Sequence, residues 1–239
     1  MSKLGIQVEG LSKKLGPNQA LAGLSTTFEA GRLHGLIGPD GAGKTTLLRH
    51  VMGLLKGDQG KVAYFVDKKP IPFAQARPDL AYMPQAQSLY GDLSIAEHLD
   101  FFRDLYDLDE GVYQERRKRL LHLTRLDRFT ERPAGKLSGG MYKKLGLMCA
   151  LLASPQALLL DEPTNGVDPV SRREFWAMLA ELLGSGILVL VATAYMDEAE
   201  RCDKVHLIFN GKLLIKHKAP RFDELFIRAE EKHAARAAA

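Results

Sequence analysis

Cysteine is scarce in this chain of 239 residues: only Cys149 and Cys202, far apart and with no C-x-x-C spacing or paired histidine. That argues against a disulfide framework and a thiolate metal site, and reads as two plain buried thiols. Long apolar runs are missing too. Ala150–Leu160 and Gly186–Thr193 fall well short of the ~20 residues that cross a bilayer, and the first is broken by Ser154, Pro155 and Gln156. The opening Met1-Ser2-Lys3-Leu4-Gly5 has no signal-peptide apolar stretch, so the chain is expected in the cytosol. Neither charge dominates. The 33 basic and 29 acidic residues leave a net +4, too mild to argue for nucleic acid as a partner. The one basic cluster, Arg116–Arg119, reads as a solvated helix face. With 46% hydrophobic and 26% charged residues the composition is that of an ordinary globular protein, long enough to bury a sizeable core.

The most informative segment is Gly38-Pro39-Asp40-Gly41-Ala42-Gly43-Lys44-Thr45-Thr46, which fits G-x-x-x-x-G-K-[ST]. Glycines let backbone N–H groups curl around a phosphate, Lys44 can reach the β- and γ-phosphates, and the Thr45 hydroxyl can hold Mg²⁺. A helix beginning here turns its positive end toward the anion. The flanks agree: Leu33–Ile37 is a buried-strand candidate and Thr46–Leu55 an apolar helical run. A flexible glycine-rich turn would explain the loop alone but not these flanks.

Before the loop, Ile6–Glu9 and Ala20–Phe28 read as strands between the turn signals Gly16-Pro17-Asn18 and Ala30-Gly31. After it, Val62–Val66 and Leu80–Met83 are further strands. The pattern then turns helical. Leu93, Ile95, Leu99, Phe102 and Leu105 recur at helical spacing behind a capping box of Ser94 and Glu97. Val112–Leu126 is a second helix, and Ser138 caps a third over Gly139–Leu152. Strand Ala157–Leu160, helix Pro169–Leu183 and strands Ile187–Ala192 and Val205–Phe209 restore βαβ alternation. The fold class is therefore α/β: a phosphate-loop mixed sheet flanked by helices, with a helical insert and an N-terminal antiparallel β region.

Ala157–Leu160 runs straight into Asp161-Glu162-Pro163. Beside a phosphate loop, Asp161 can join the Mg²⁺ shell and Glu162 can polarise a water for in-line attack on a γ-phosphate. Leu137-Ser138-Gly139-Gly140-Met141 opens the third insert helix as a second anion cradle, or as an ordinary helix cap. Gln85, just past its strand, reads alone as a surface loop amide.

The order of these motifs, closing with Gly166-Val167-Asp168, resembles the ATP-binding-cassette (ABC) ATPases over about residues 4–216. Two stretches, 162–176 and 195–203, resemble the multidrug-efflux branch, and the chain resembles the first cassette of efflux proteins that fuse two. The resemblance implies an ATPase domain over 1–220 with its insert at about 88–153, followed by a charged, Ala-rich tail or linker over 221–239. It implies Mg²⁺–ATP bound by 38–46, with Thr45, Gln85 and Asp161 at the metal and Glu162 and Gln85 in catalysis. Leu137–Met141 would serve the ATP of a second cassette, on a homodimer partner or another cassette, fused or separate, and Asp168 would lie at the dimer seam. Residues from Tyr90 to about Tyr106 would face a coupling helix of an integral membrane permease. The resemblance thus implies a peripheral protein at the inner face of the cell membrane, driving export.

Three positions depart from the family pattern. Leu15 stands where an adenine-stacking aromatic is usual, a loss of ~0.5–1.5 kcal/mol. Met141 replaces the glutamine after Leu-Ser-Gly-Gly. Ala194 replaces the switch histidine, and losing a preorganised donor costs ~10²–10³ in rate. His206, on the next strand, reads as core. These departures suggest firm ATP binding with slow hydrolysis at this cassette's own site. A soluble ABC ATPase without a permease and a non-hydrolytic, ATP-gated module stay open as alternatives.

Overall fold

A computed structural model describes residues 3–218; the expected tail at 221–239 lies outside the described residues. Two sheets organise the described residues. The larger has six strands in the order β10-β9-β3-β8-β7-β6: β3 (Leu33–Ile37), β6 (Leu80–Met83), β7 (Ala157–Asp161), β8 (Leu188–Thr193), β9 (Lys204–Phe209) and β10 (Lys212–Lys218). Strands β9, β3, β8, β7 and β6 run parallel and β10 closes one edge antiparallel. Strands β3, β7 and β8 are buried at every residue, which is why they read as continuous apolar runs rather than alternating ones.

The smaller, antiparallel sheet orders β2 (Asn18–Phe28), β1 (Leu4–Leu15), β4 (Gln59–Val66) and β5 (Lys69–Ile71). Alternation at Leu4, Ile6 and Val8 turns one face of β1 inward. Strand β1 extends well past the expected Ile6–Glu9 because register shifts after Val8 let it bend and keep pairing with β2 as far as Leu15 and Asn18.

The six-stranded sheet separates two apolar clusters. Leu36, Leu159, Leu188 and Leu190 pack with α1 (Lys44–Val51) and the small sheet, whereas Ile37, Leu158, Leu160, Val189 and Val191 face the helices of the other layer. That layer holds α3 (Ile95–Leu105), α4 (Glu110–Thr124), α5 (Gly139–Leu151) and α6 (Pro169–Leu183), and a single turn, α2 (Phe73–Ala76), precedes β6. The Ser94–Glu97 capping box forms in both directions. Helix α1 begins two residues earlier than expected and ends at Val51: the Met52 N–H still reaches the Leu48 carbonyl, but that of Gly53 turns to His50. In the basic cluster, Arg116 is half-buried, because its guanidinium donates to the Leu152 carbonyl at 2.8 Å and so ties α4 to the end of α5. Cys149 and Cys202 are buried free thiols, and burial pushes the Cys202 thiol up to about 12.

Candidate nucleotide site

The loop between β3 and α1 is shaped by its glycines. A Cβ on Gly38 would lie 2.1 Å from the Ile208 carbonyl, and one on Gly43, at φ +108°, would lie 2.4 Å from that of Ala20. Both positions thus require glycine for the close approach of neighbouring strands as well as for an anion. The first bond of α1 runs from the Leu47 N–H to the Gly43 carbonyl at 2.9 Å. The N–H groups of Lys44, Thr45 and Thr46 therefore precede the helical ladder and stand at its positive end.

Lys44 curls back over this loop. Its ammonium donates to the carbonyls of Gly38 at 2.8 Å and Pro39 at 3.2 Å, and lies 3.1 Å from Glu162 Oε1. The Thr45 hydroxyl donates to Asp161 Oδ1 at 3.0 Å, and Tyr82 on the neighbouring strand β6 donates to Asp161 Oδ2 at the same distance. Burial raises the Asp161 carboxyl above the usual range, against the pull of the Thr45 and Tyr82 hydrogen bonds. Burial likewise raises Glu162, more than Lys44 lowers it. A hydroxyl and a carboxylate in contact form a hard oxygen donor pair suited to Mg²⁺, so the residues present fit a magnesium–triphosphate group.

The backbone of Glu162 sits at φ +48°, a left-handed conformation that non-glycine residues adopt at a cost. Three bonds made by backbone N–H groups hold it there. Its N–H donates to the Ala192 carbonyl at 2.9 Å, its carbonyl accepts from the Asn165 N–H at 3.2 Å, and Oε2 accepts from the Ala194 N–H at 3.4 Å. Gln85 comes to the same place from the end of β6. It lines a cleft of about 690 Å³ together with Leu15, residues 40–46 and Glu162, so four separate parts of the chain converge there.

The comparisons with known proteins agree with this geometry. Residues 21–165 match the family model described as "ABC transporter". The chain belongs to the ABC transporter family. It is 48% identical over 217 residues to a probable multidrug ABC transporter ATP-binding protein, YbhF, of Escherichia coli, a match covering 90% of this chain and 37% of that protein. It is 36% identical over 214 residues to a Nod factor export ATP-binding protein of Ralstonia nicotianae, covering 89% of this chain and 67% of the relative. Among solved structures, an ATP-binding subunit of an ABC transporter superposes with a TM-score of 0.81 at 28% identity, covering 94% of this chain and 99% of that one. CbiO1 of Clostridium perfringens, part of the ABC transporter complex CbiONQ, gives 0.80 at 26% identity over 93% of this chain and 90% of that one. The chain is thus an ABC ATPase cassette.

Within this ABC cassette the signature segment stands apart from the phosphate-loop cleft: none of Leu137–Met141 lines it. Ser138 and Gly139 are exposed at the head of α5, where Ser138 Oγ accepts from the Met141 N–H at 3.3 Å. Gly140 is buried, and a Cβ there would meet Ser171 Cβ and Oγ at 2.6 Å. Asp168 is exposed and caps α6, accepting from the N–H groups of Val170 and Ser171 at 3.0 Å, and the Ser171 bonds hold its carboxyl below the usual range. Leu15, nearly half exposed, ends β1 at the cleft, on the wall where the resemblance sets the adenine. Ala194 contributes only its backbone N–H to Glu162. His206 is buried, hydrogen-bonded to Thr26 and His34, as a core residue is.

The sequence reading missed Asn18, Gln19, Ala20 and Asn210, which complete the cleft. Asn210-Gly211 is the β9–β10 turn, and Gly211 donates to the Ala42 carbonyl at 3.0 Å, pinning the phosphate loop from the far sheet edge. An Asn-Gly pair between two apolar runs is a hairpin signal that would have found it.

Proposed function

We propose that this cassette binds Mg²⁺–ATP in the cleft of Leu15, Lys44, Thr45 and Glu162. It then pairs head to tail with a second cassette and drives an integral membrane permease of an export system. One arrangement carries the reading: phosphate loop, Gln85 and the acid Glu162 share one cleft with Asp161 bonded to Thr45 behind it, while the signature segment lies outside it, with Ser138 and Gly139 exposed at the head of α5. A cradle so placed serves a nucleotide held by another subunit. The YbhF relative spans far more than this chain, so the second cassette is either a separate copy or part of a longer polypeptide. The permease would dock on the aromatic face of α3, where Tyr90, Phe101, Phe102 and Tyr106 form consecutive ring contacts and Tyr90 and Phe101 are exposed. Among the described residues no helix is long and apolar enough to cross a membrane, which suits a peripheral subunit at the cytoplasmic face.

Hydrolysis at the cassette's own site is slow in this reading, because position 194 offers a backbone N–H to Glu162 and no side-chain donor. The test is direct: fluorescent-nucleotide titration with Mg²⁺, then light scattering of Glu162→Gln with and without ATP. Saturable binding and an ATP-dependent doubling of mass are expected. A chain that binds nucleotide yet stays monomeric at every ATP concentration, alone and with a second cassette, removes the paired-cassette reading.

A further inference from the structure

Lys143 is a buried cation that the motif reading does not use. It lies on α5, five residues after Ser138, with 9% of its surface exposed. Its ammonium donates to the carbonyl of Gln85 at 3.3 Å and to that of Glu162 at 3.4 Å. One side chain thus joins three segments: the exit of β6, the exit of β7 and the helix that the signature opens.

Burying an ammonium is costly unless its donors are used, and three are available. Two go to backbone carbonyls; desolvation still pulls Lys143 below the usual lysine range, opposed only in part by the nearby Asp161 and Glu162 carboxylates. The carbonyls it chooses are informative. Glu162 holds a left-handed backbone, and Lys143 grips the carbonyl of that same residue. Gln85 turns its peptide toward α5 while the residue lines the nucleotide cleft. Neighbouring Lys144 is fixed outward to Glu174 at 2.6 Å, so the two lysines divide the work and only Lys143 reaches the cleft's rear wall.

We infer that Lys143 is a positioning residue for ATP hydrolysis, locking Gln85 and Glu162 to the signature helix so that a nucleotide engaged at Ser138–Gly140 steadies the acid in this chain's own cleft. This rests on the proposed nucleotide site and adds a link between its two halves. The lock acts through backbone carbonyls, not through substrate. Its loss should therefore affect turnover and leave ATP affinity in place.

The experiment uses the full chain with its second cassette and compares Lys143→Met, Lys143→Gln and Lys143→Arg. Lys143→Met is expected to lower kcat about 10- to 100-fold, as loss of a supporting contact does, with the Kd for ATP within about threefold of the parent. Lys143→Arg restores most of the rate. Amide hydrogen exchange, read without turnover, rises at 84–86 and 162–166 in Lys143→Met while the rest of α5 keeps its protection. Lys143→Gln, which keeps an uncharged N–H donor on a side chain one atom shorter, serves if Lys143→Met unfolds, and is expected to fall between parent and Met. Unchanged kcat and exchange overturn the proposal, as does a parallel loss of kcat and ATP affinity that Lys143→Arg fails to rescue. Failure of the parent chain to bind ATP overturns the nucleotide site itself and this inference with it.

Discussion

Lys44 Nζ and Glu162 Oε1 form an ion pair of 3.1 Å whose side chains are only 5% and 6% exposed. The phosphate-loop cation and the candidate acid thus neutralise each other inside the protein. A triphosphate reaching the loop competes with Glu162 for Lys44. Removing one member of a buried pair strands the other and costs about 3–5 kcal/mol. Lys44→Met should therefore lose about 3 kcal/mol in urea unfolding as well as ATP binding. The double variant Lys44→Met/Glu162→Gln should recover at least half of that stability, by the logic of a double-mutant cycle. Strictly additive losses would show that the two charges do not stabilise each other.

The signature glycine Gly140 has a packing role within this chain, separate from the one proposed toward a partner. Its missing side chain admits Ser171 at the start of α6. Gly140→Ala should cost about 1–3 kcal/mol through overpacking, measured on the isolated chain without nucleotide. Ser171→Gly added to it should return most of the loss, since both clashing atoms belong to that side chain. A fully stable Gly140→Ala would leave partner nucleotide as the sole reason for the glycine.

Position 194 sits within reach of Glu162 but carries no side-chain donor. A single preorganised donor is worth ~10²–10³ in rate at a developing charge, and restoring one in a site not otherwise adapted should return about 10-fold. Ala194→His is expected to raise single-turnover hydrolysis by that factor with ATP affinity nearly constant. No gain in the assembled pair of cassettes would locate the slow step elsewhere.

The Lys144–Glu174 pair gives an acid-side signature. The hydrogen bond from Lys144, at 2.6 Å, holds the Glu174 carboxyl below its usual value. An unfolded glutamate titrates near about 4.3. A folded value below that favours the charged carboxylate in the native state. Its contribution is whole at neutral pH and is lost as pH falls through the unfolded value to the folded one. Glu174 is partly exposed, which keeps the contribution at about 1 kcal/mol or less. Glu174→Gln should therefore lower stability slightly at pH 7 and flatten the pH dependence below about pH 5. An unchanged acid limb in thermal melts between pH 3 and 7 would rule the pair out as a contributor.

What could be read from the residues follows the range of the forces involved. The phosphate loop is contiguous, and its chemistry is backbone chemistry, so nine consecutive residues announced it. The helix caps at Ser94 and Ser138 are equally local, each satisfied within three residues, whereas Asp168, expected at a dimer seam, caps α6. The edge strand β5 escaped notice because it is only three residues long and owes its existence to a partner strand, and β10 because its Asn210-Gly211 hairpin signal went unused. Arg116 read as solvated because periodicity records which face a residue occupies, and not that a long side chain can reach back to a carbonyl 36 residues away.

By itself the sequence determined the α/β class, the glycine-lined loop, the acidic strand exit and the membership in the ABC family that these motifs announce. The fold alone decided which of these meet. Thr45 and Asp161 touch across 116 residues because β3, β8 and β7 lie side by side, and Glu162 takes a left-handed turn because Ala192, Ala194 and Lys143 hold it from three directions. The physical reason is one of scale. Local propensity and periodicity set elements within a few residues, whereas the pairing of buried charges is decided only when distant strands pack and water is excluded.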